Sequence, residues 1–236
     1  MLRGKFRGGL GRPHAPVTET GAIVRRAAAA QLRASLVSDA LDALGLRTQC
    51  LPAAIVPITP GTRLVGSAFP VEANPVDVAP DIPYQGLLRA LDAVPRAAVV
   101  VASSLGREDV AIWGELLSTI CVARGAAGAV CDGNIRDVDL IRSLGFPVFA
   151  QGTVPTDING RLEVAGPAES IKVGGVLVTA ADLVVADDDG VVVVPAAVAD
   201  EVVARALEKR SSESGFREAV ESGLSATDAY AKFGVL

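Results

Sequence analysis

Apolar and polar positions alternate along this chain with two different periods. Between residues 24 and 45, Leu32, Leu36, Val37, Ala40, Leu41 and Leu44 recur at three- and four-residue spacing and predict a helix that stops at Gly45. A proline-punctuated stretch follows, with Pro52, Pro57 and Pro60, and then Arg63 to Glu72 reads as a strand. Residues 73–83 carry Pro75, Pro80 and Pro83 and predict a loop, with a short helix after it from Gly86 to Val94. The run from Ala97 to Ala102 is apolar throughout and has the length of a buried strand, and Ser103 to Asp109 is a polar turn.

The next unit alternates strand and helix. A helix ends at Arg124 and Gly125, Gly128 to Cys131 reads as a strand, and Asp132-Gly133-Asn134 turns the chain. A short helix from about Arg136 to Leu144 closes at Gly145, and Phe146 to Gln151 returns as a strand. This order predicts βαβ units and a partly parallel, buried sheet. From residue 161 the texture becomes antiparallel. Ile171–Val173, Val176–Val178, Leu183–Ala186 and Val191–Val194 are short apolar runs split by Gly or Asp turns, and helices fill 196–210 and much of 214–232.

Composition narrows the function. The chain has 236 residues, 50% of them hydrophobic and 4% aromatic, so the expected core is Val, Leu, Ile and Ala. Domain expectations are a flexible basic tail over 1–22 and one domain over 23–236 ending in helices. Net charge is −5, and outside the tail no basic concentration suggests a nucleic-acid partner. No apolar run has membrane-spanning length, no apolar stretch follows the basic start as in a secretory signal, and the expected compartment is the cytoplasm. Three cysteines, Cys50, Cys121 and Cys131, form no CxxC pair. The one histidine, His14, lies in the tail, which leaves a His-based triad or His-ligated metal without a member in the folded region.

Two segments carry candidate chemistry. Arg136 and Asp137 follow a buried strand and open a short helix, where an arginine fork can grip a carboxylate and an aspartate can hold a hard cation. From position alone, a solvated Arg beside a helix-dipole Asp is the plainer alternative. Gly114 permits close approach of a ligand, and a helix starting near Glu115 leaves the amides of Leu116 and Leu117 unpaired and suited to a carboxylate. Glu115 itself is either a surface acid or a group that moves a proton through water. Asp187-Asp188-Asp189-Gly190 reads as a hairpin turn before a metal cluster, and Gly8-Gly9-Leu10-Gly11 as a weak imitation of a nucleotide loop.

These residues resemble a known family. Gly114-Glu115-Leu116-Leu117, the run from Arg124 to Gly133, Arg136-Asp137-Val138 and Leu144-Gly145-Phe146-Pro147-Val148-Phe149 are similar to the RraA-like family, as are Ser38-Asp39-Ala40-Leu41 and the stretch from Asp182 to Val191. That family includes 4-hydroxy-4-methyl-2-oxoglutarate aldolases and the regulator of ribonuclease activity. The resemblance implies a layered α/β/β sandwich of the swivelling-domain type, assembled as trimers or hexamers. It implies a class II pyruvate aldolase that cleaves a 4-hydroxy-2-oxo acid, with oxaloacetate decarboxylation as a side activity. Asp137 would ligate Mg²⁺, or Mn²⁺ or Co²⁺ in its place. Arg136 would contact substrate, Glu115 would organise a catalytic water, and Gly114, Leu116 and Leu117 would receive the pyruvate carboxylate. A further family acid three residues after the metal Asp is absent, since that place is Leu140. The alternative is a non-catalytic regulator that binds a ribonuclease or another protein.

Overall fold

The computed structural model describes residues 25–236, so the basic tail, His14 and the glycine run at 8–11 lie outside the described residues. The elements are β1 (Val56–Pro57), β2 (Leu64–Pro75), β3 (Ala98–Ser103), β4 (Ala111–Trp113), β5 (Gly128–Cys131), β6 (Asn134–Ile135), β7 (Val148–Ala150), β8 (Gly152–Thr153), β9 (Leu162–Pro167), β10 (Ser170–Val173), β11 (Val176–Thr179), β12 (Leu183–Asp187) and β13 (Gly190–Val194). The helices are α1 (Ala34–Ala43), α2 (Gln85–Asp92), α3 (Glu115–Arg124), α4 (Val138–Leu144), α5 (Ala199–Glu221) and α6 (Ala226–Phe233).

Eight strands form one mixed sheet in the order β1-β7-β5-β3-β2-β12-β13, with β9 paired to β2. The β2, β3, β5 and β7 neighbours run parallel, and β12 and β13 add antiparallel at one edge. Because side chains alternate along a strand, each apolar run serves two cores. Ala98, Val100 and Ala102 of β3 face a core shared with Leu87 and Leu91 of α2 and Ile141 of α4. Val99 and Val101 face the other side, against Ile171, Val173, Val176 and Val178 of the β10–β11 hairpin. Helices, large sheet and hairpin thus stack as the layered α/β/β arrangement the resemblance implies. A third core packs Leu36, Val37 and Leu41 of α1 and Val202 and Ala206 of α5 on Leu183, Val185, Val192 and Val194.

The helix expected over 24–45 is interrupted. Residues 25–29 are helical, the chain turns at 30–32, and Arg33 is extended before α1 begins. Arg63 reaches across and donates to the Leu32 carbonyl at this break, while the Ala34 amide donates to Asp187 Oδ2 at 2.9 Å. Near the C-terminus, α5 runs unbroken through the interruption expected between 210 and 214. The break falls at Ser222–Ser225 instead, where Ser225 Oγ accepts from the Asp228 amide and caps α6. The Asp187–Gly190 segment is a hairpin turn: Asp187 pairs with Gly190, Asp187 Oδ1 accepts from the Asp189 amide, and Asp188 accepts from the Gly61 amide. Among the described residues no group of three or more His, Cys, Asp or Glu side chains is arranged to hold a metal ion. No helix among them is long and apolar enough to cross a membrane.

Candidate functional site

A second, smaller sheet builds the site. β4, β6 and β8 pair in parallel, so three strand ends point the same way. The chain leaves β4 at Gly114 and enters α3. It leaves β6 at Arg136 and Asp137, and it leaves β8 toward Asp157. Backbone bonds lock these exits together: Arg136 N donates to Trp113 O at 3.0 Å, Val154 N to Ile135 O at 3.0 Å, and Ala111 N to Thr156 O at 2.8 Å. The carboxyl ends of parallel strands are where open α/β proteins gather their ligand-binding groups.

Gly114 is needed for space. Its backbone is extended, but a Cβ there would sit 2.9 Å from Asp137 Oδ2 and 3.4 Å from Arg136 Cγ. The Glu115 amide, first in α3, donates to the same Asp137 oxygen at 3.4 Å. Leu116 and Leu117 follow in the first turn, where helical amides have no acceptor four residues back, and Gly114 has no side chain to cap them. The Ser118 amide closes the first helical bond to Gly114 O, and Ser118 Oγ accepts from Trp113 Nε1 at 2.9 Å. The Glu115 carboxylate accepts from Thr119 Oγ1 at 2.7 Å, one turn along the exposed face of the helix.

Asp137 sits just before α4 rather than inside a helix beginning at Arg136. Its backbone is left-handed, φ 59° and ψ 39°, and it makes no capping bond to α4. Aspartate tolerates this region better than most residues. The conformation leaves the carboxylate beside Arg136, whose Nε lies 3.7 Å from Asp137 Oδ2. The other end of the guanidinium is engaged by a residue the sequence reading did not single out: Arg136 Nη2 pairs with Asp157 Oδ2 at 2.8 Å. Asp157 also accepts from the Tyr84 hydroxyl at 3.0 Å and from the Asn159 amide at 2.8 Å. Partial burial works against the Asp157 charge, yet the Asn159 amide, the Tyr84 hydroxyl and the Arg136 guanidinium outweigh it and hold the carboxyl below its ordinary value. Burial, and then the bond to Asp157, push the Tyr84 phenol up. Tyr84 precedes α2 and is likewise left-handed, φ 63°. The chain Tyr84–Asp157–Arg136–Asp137 is thus bounded by two such residues.

These groups open on a cavity of about 520 Å³. Its walls are Tyr84, Leu87 and Leu88 from α2 and the residue before it, Ala111 to Gly114 from β4 and its end, Leu116, Leu117, Thr119 and Ile120 from α3, and Arg136, Asp137, Asp157 and Ile158. Arg136 and Asp137 also border a shallower hollow of about 390 Å³ with Ile135, Val138, Thr153, Val154 and Pro155. The expected residues Gly114, Leu116, Leu117, Arg136 and Asp137 therefore meet at one cavity, whereas Glu115 is not on its wall and is tied to it only by the bond from its amide to Asp137. Tyr84 and Asp157 join them from loops.

The donor set bears on a metal. Asp137 presents a single half-exposed carboxylate, and Asp157 is committed to Arg136 and Tyr84. One carboxylate fits Mg²⁺, which keeps most of its waters and completes its shell from a bound ligand, but would not fit a cation that needs an all-protein cage.

Three parallel strand ends carry an Arg-Asp pair against an uncapped helix start, on a layered α/β/β fold, and make a candidate site for a small ligand. The chain belongs to the RraA-like family, described as Aldolase/RraA, whose profile matches residues 34–193. It is 29% identical over 194 residues to a protein of Halalkalibacterium halodurans named "Putative 4-hydroxy-4-methyl-2-oxoglutarate aldolase", covering 82% of this chain and 87% of that protein. It is 31% identical over 187 residues to Protein DlpA of Legionella pneumophila; the match takes in 79% of this chain but spans only 30% of DlpA. The solved structure of Streptomyces coelicolor RraAS2, titled an unusual member of the RNase ES inhibitor RraA protein family, superposes with a TM-score of 0.77 at 30% identity, covering 83% of this chain and 97% of that one.

Proposed function

We propose that this chain is a divalent-metal-dependent lyase that cleaves a 4-hydroxy-2-oxo acid and releases pyruvate. The observation that carries the reading is the meeting of Arg136, Asp137 and the first-turn amides of α3 around Gly114, at the mouth of a cavity large enough for a small acid. The amides of Leu116 and Leu117 would bind the substrate carboxylate. Arg136, steadied by Asp157, would face the 2-keto oxygen and stabilise negative charge as the C3–C4 bond breaks. Mg²⁺, Mn²⁺ or Co²⁺ on Asp137 would supply Lewis-acid polarisation of the 2-oxo acid. Glu115 would hold the water that takes the C4 hydroxyl proton, its half-buried carboxylate turning from Thr119 to do so. Oxaloacetate needs only the enolate-forming half of this chemistry and would be decarboxylated as a side activity. A trimeric or hexameric assembly, a cytoplasmic location and independence from nucleic acid and membrane belong to the same reading.

Coupled pyruvate release, with Mg²⁺ and then with chelator, tests it. Loss of one preorganised donor costs about 3–4 kcal/mol of barrier, so Arg136→Ala and Asp137→Ala should each lose on the order of 10²–10³ in kcat. Metal-dependent pyruvate release that survives Asp137→Ala unchanged refutes the assignment. The likeness to RraAS2 supports a second reading, a regulator that binds a ribonuclease by protein contact. It predicts no turnover of any 2-oxo acid and partner binding that is indifferent to Asp137.

A further inference from the structure

Glu115 and Thr119 divide between them two things that proton removal at C4 requires, a basic group and a place beside the substrate. The acid stands off the wall of the cavity, whereas Thr119 is on it with Leu116, Leu117 and Ile120. Thr119 Oγ1 donates to Glu115 Oε1 at 2.7 Å. Side chains four residues apart are neighbours on a helix, and such a bond is ordinary on an exposed helical face. Its place sets this one apart. It joins a carboxylate off the wall to a residue on it, just past the Gly114 end where α3 leaves its first amides uncapped. Helical Cα–Cβ bonds tilt toward the N-terminus, so Thr119 leans back toward those amides. At the helical rise per residue, Thr119 lies about 3–4.5 Å along the axis from Leu117 and Leu116. A 4-hydroxy-2-oxo acid holds its carboxylate and its C4 hydroxyl apart by a comparable span. A threonine hydroxyl that donates one hydrogen bond still has lone pairs with which to accept another.

Resting on the lyase reading above, we infer that Thr119 is a catalytic residue: its hydroxyl accepts the C4 hydroxyl proton of the substrate and passes its own proton to Glu115. The contact seen in the structure is then the working one, and Glu115 need not turn away from Thr119 to hold a water. In this step the C4 O–H proton goes to Thr119 Oγ1 as the Thr119 proton goes to Glu115 Oε1. The O–H pair becomes the C=O of the departing aldehyde or ketone, and the C3–C4 pair passes to the enolate. Glu115 returns its proton to water, and water protonates C3 to give pyruvate. Oxaloacetate has no C4 alcohol, so its decarboxylation bypasses Thr119.

Thr119→Val keeps the shape of the side chain and removes the hydroxyl, and Thr119→Ser keeps the hydroxyl. Each is compared with wild type on the full chain with Mg²⁺, following pyruvate from 4-hydroxy-2-oxopentanoate, from 4-hydroxy-2-oxoglutarate and from oxaloacetate. A positioned general base contributes about 10²–10⁴-fold, so Thr119→Val should lower kcat for C3–C4 cleavage by about 10²-fold more than kcat for decarboxylation. Thr119→Ser should recover most of that loss. Thr119→Val on top of Glu115→Gln should cost little beyond Glu115→Gln alone, because both residues act in one path. If Glu115 must instead turn from Thr119 to hold a water, Thr119→Val releases it, and cleavage stays as fast or quickens. That result overturns the relay and leaves the lyase reading standing. So do equal losses of cleavage and decarboxylation, a Thr119→Ser protein as slow as Thr119→Val, additive losses in the double variant, or a wild type that decarboxylates oxaloacetate but cleaves neither hydroxy acid. Absence of both activities in the wild type overturns the lyase reading and the relay with it.

Discussion

Gly114→Ala isolates the function of one close approach. The backbone at Gly114 is extended, so alanine is conformationally acceptable and removes some freedom from the unfolded chain. The added methyl meets Asp137 Oδ2 at 2.9 Å, whereas ordinary contact begins near 3.4 Å, so the carboxylate must retreat by the difference, 3.4 − 2.9 = 0.5 Å. Asp137 is half exposed and can retreat, which keeps the stability cost within about 1 kcal/mol, a Tm shift of roughly 2–4 °C for a chain of this size. Its retreat also breaks the 3.4 Å bond from the Glu115 amide. A misplacement of about 1 Å at a reacting centre can cost roughly 10²-fold, so half of that predicts about a tenfold loss, near 1.4 kcal/mol of barrier. Thermal unfolding and pyruvate-release kinetics with saturating Mg²⁺ make the comparison. Unchanged kcat/KM in a folded variant would show that the position of the Asp137 carboxylate is irrelevant, and a large Tm drop would show that Gly114 serves packing instead.

Asp157→Asn should loosen Arg136 and lower kcat/KM while leaving the fold intact. Because the Asp157 carboxyl is held below its ordinary value, the stability it adds is complete above the normal aspartate range and fades as pH falls through the lower folded value. Urea unfolding should therefore show wild type ahead of the variant by under about 1 kcal/mol at neutral pH, with the gap closing in strong acid. Asp187→Ala orphans the buried Ala34 amide and the Asp189 amide, and should cost about 1–3 kcal/mol in a denaturant titration at pH 7 without touching the site. Burial pushes the Cys121 thiol up to about 12 and that of Cys131 well above its ordinary value, while Cys50 is exposed. A thiol reagent should accordingly titrate one cysteine in the native protein and three in denaturant.

The large sheet was legible because its strands are apolar on both faces or alternate strictly. Gly128–Cys131 has the predicted bounds, and Ala98–Ser103 and Leu183–Asp187 differ from expectation by a residue at the ends. The small sheet was not legible. β6 and β8 are two residues each, too short to show any period, and they exist because long-range pairing brings them together. Arg136 and Asp137 stood out through their place after a strand and through family resemblance. Asp157 and Tyr84 offered no such signal: each is a polar residue in a proline-bearing loop, and only the fold sets one beside Arg136 and the other beside it. The left-handed turn at Asp137 was equally hidden, since an aspartate before a helix ordinarily reads as a dipole partner. The break at Ala30–Arg33 is met by an arginine 31 residues along the chain from Leu32, beyond any local window.

Asp132 is the buried carboxylate at the end of β5. It accepts from Ser103 Oγ and the Ser104 amide at 2.6 Å each, and from Ser104 Oγ at 3.2 Å, so it rivets the tips of two neighbouring parallel strands. The two segments that travel onward from those tips, toward Gly114 and toward Arg136, start from one shared anchor. Sequence drift or insertion in either segment can then reshape what the cavity admits while the spacing at its base stays fixed, which is the kind of foundation on which a lineage can change substrates without rebuilding its core.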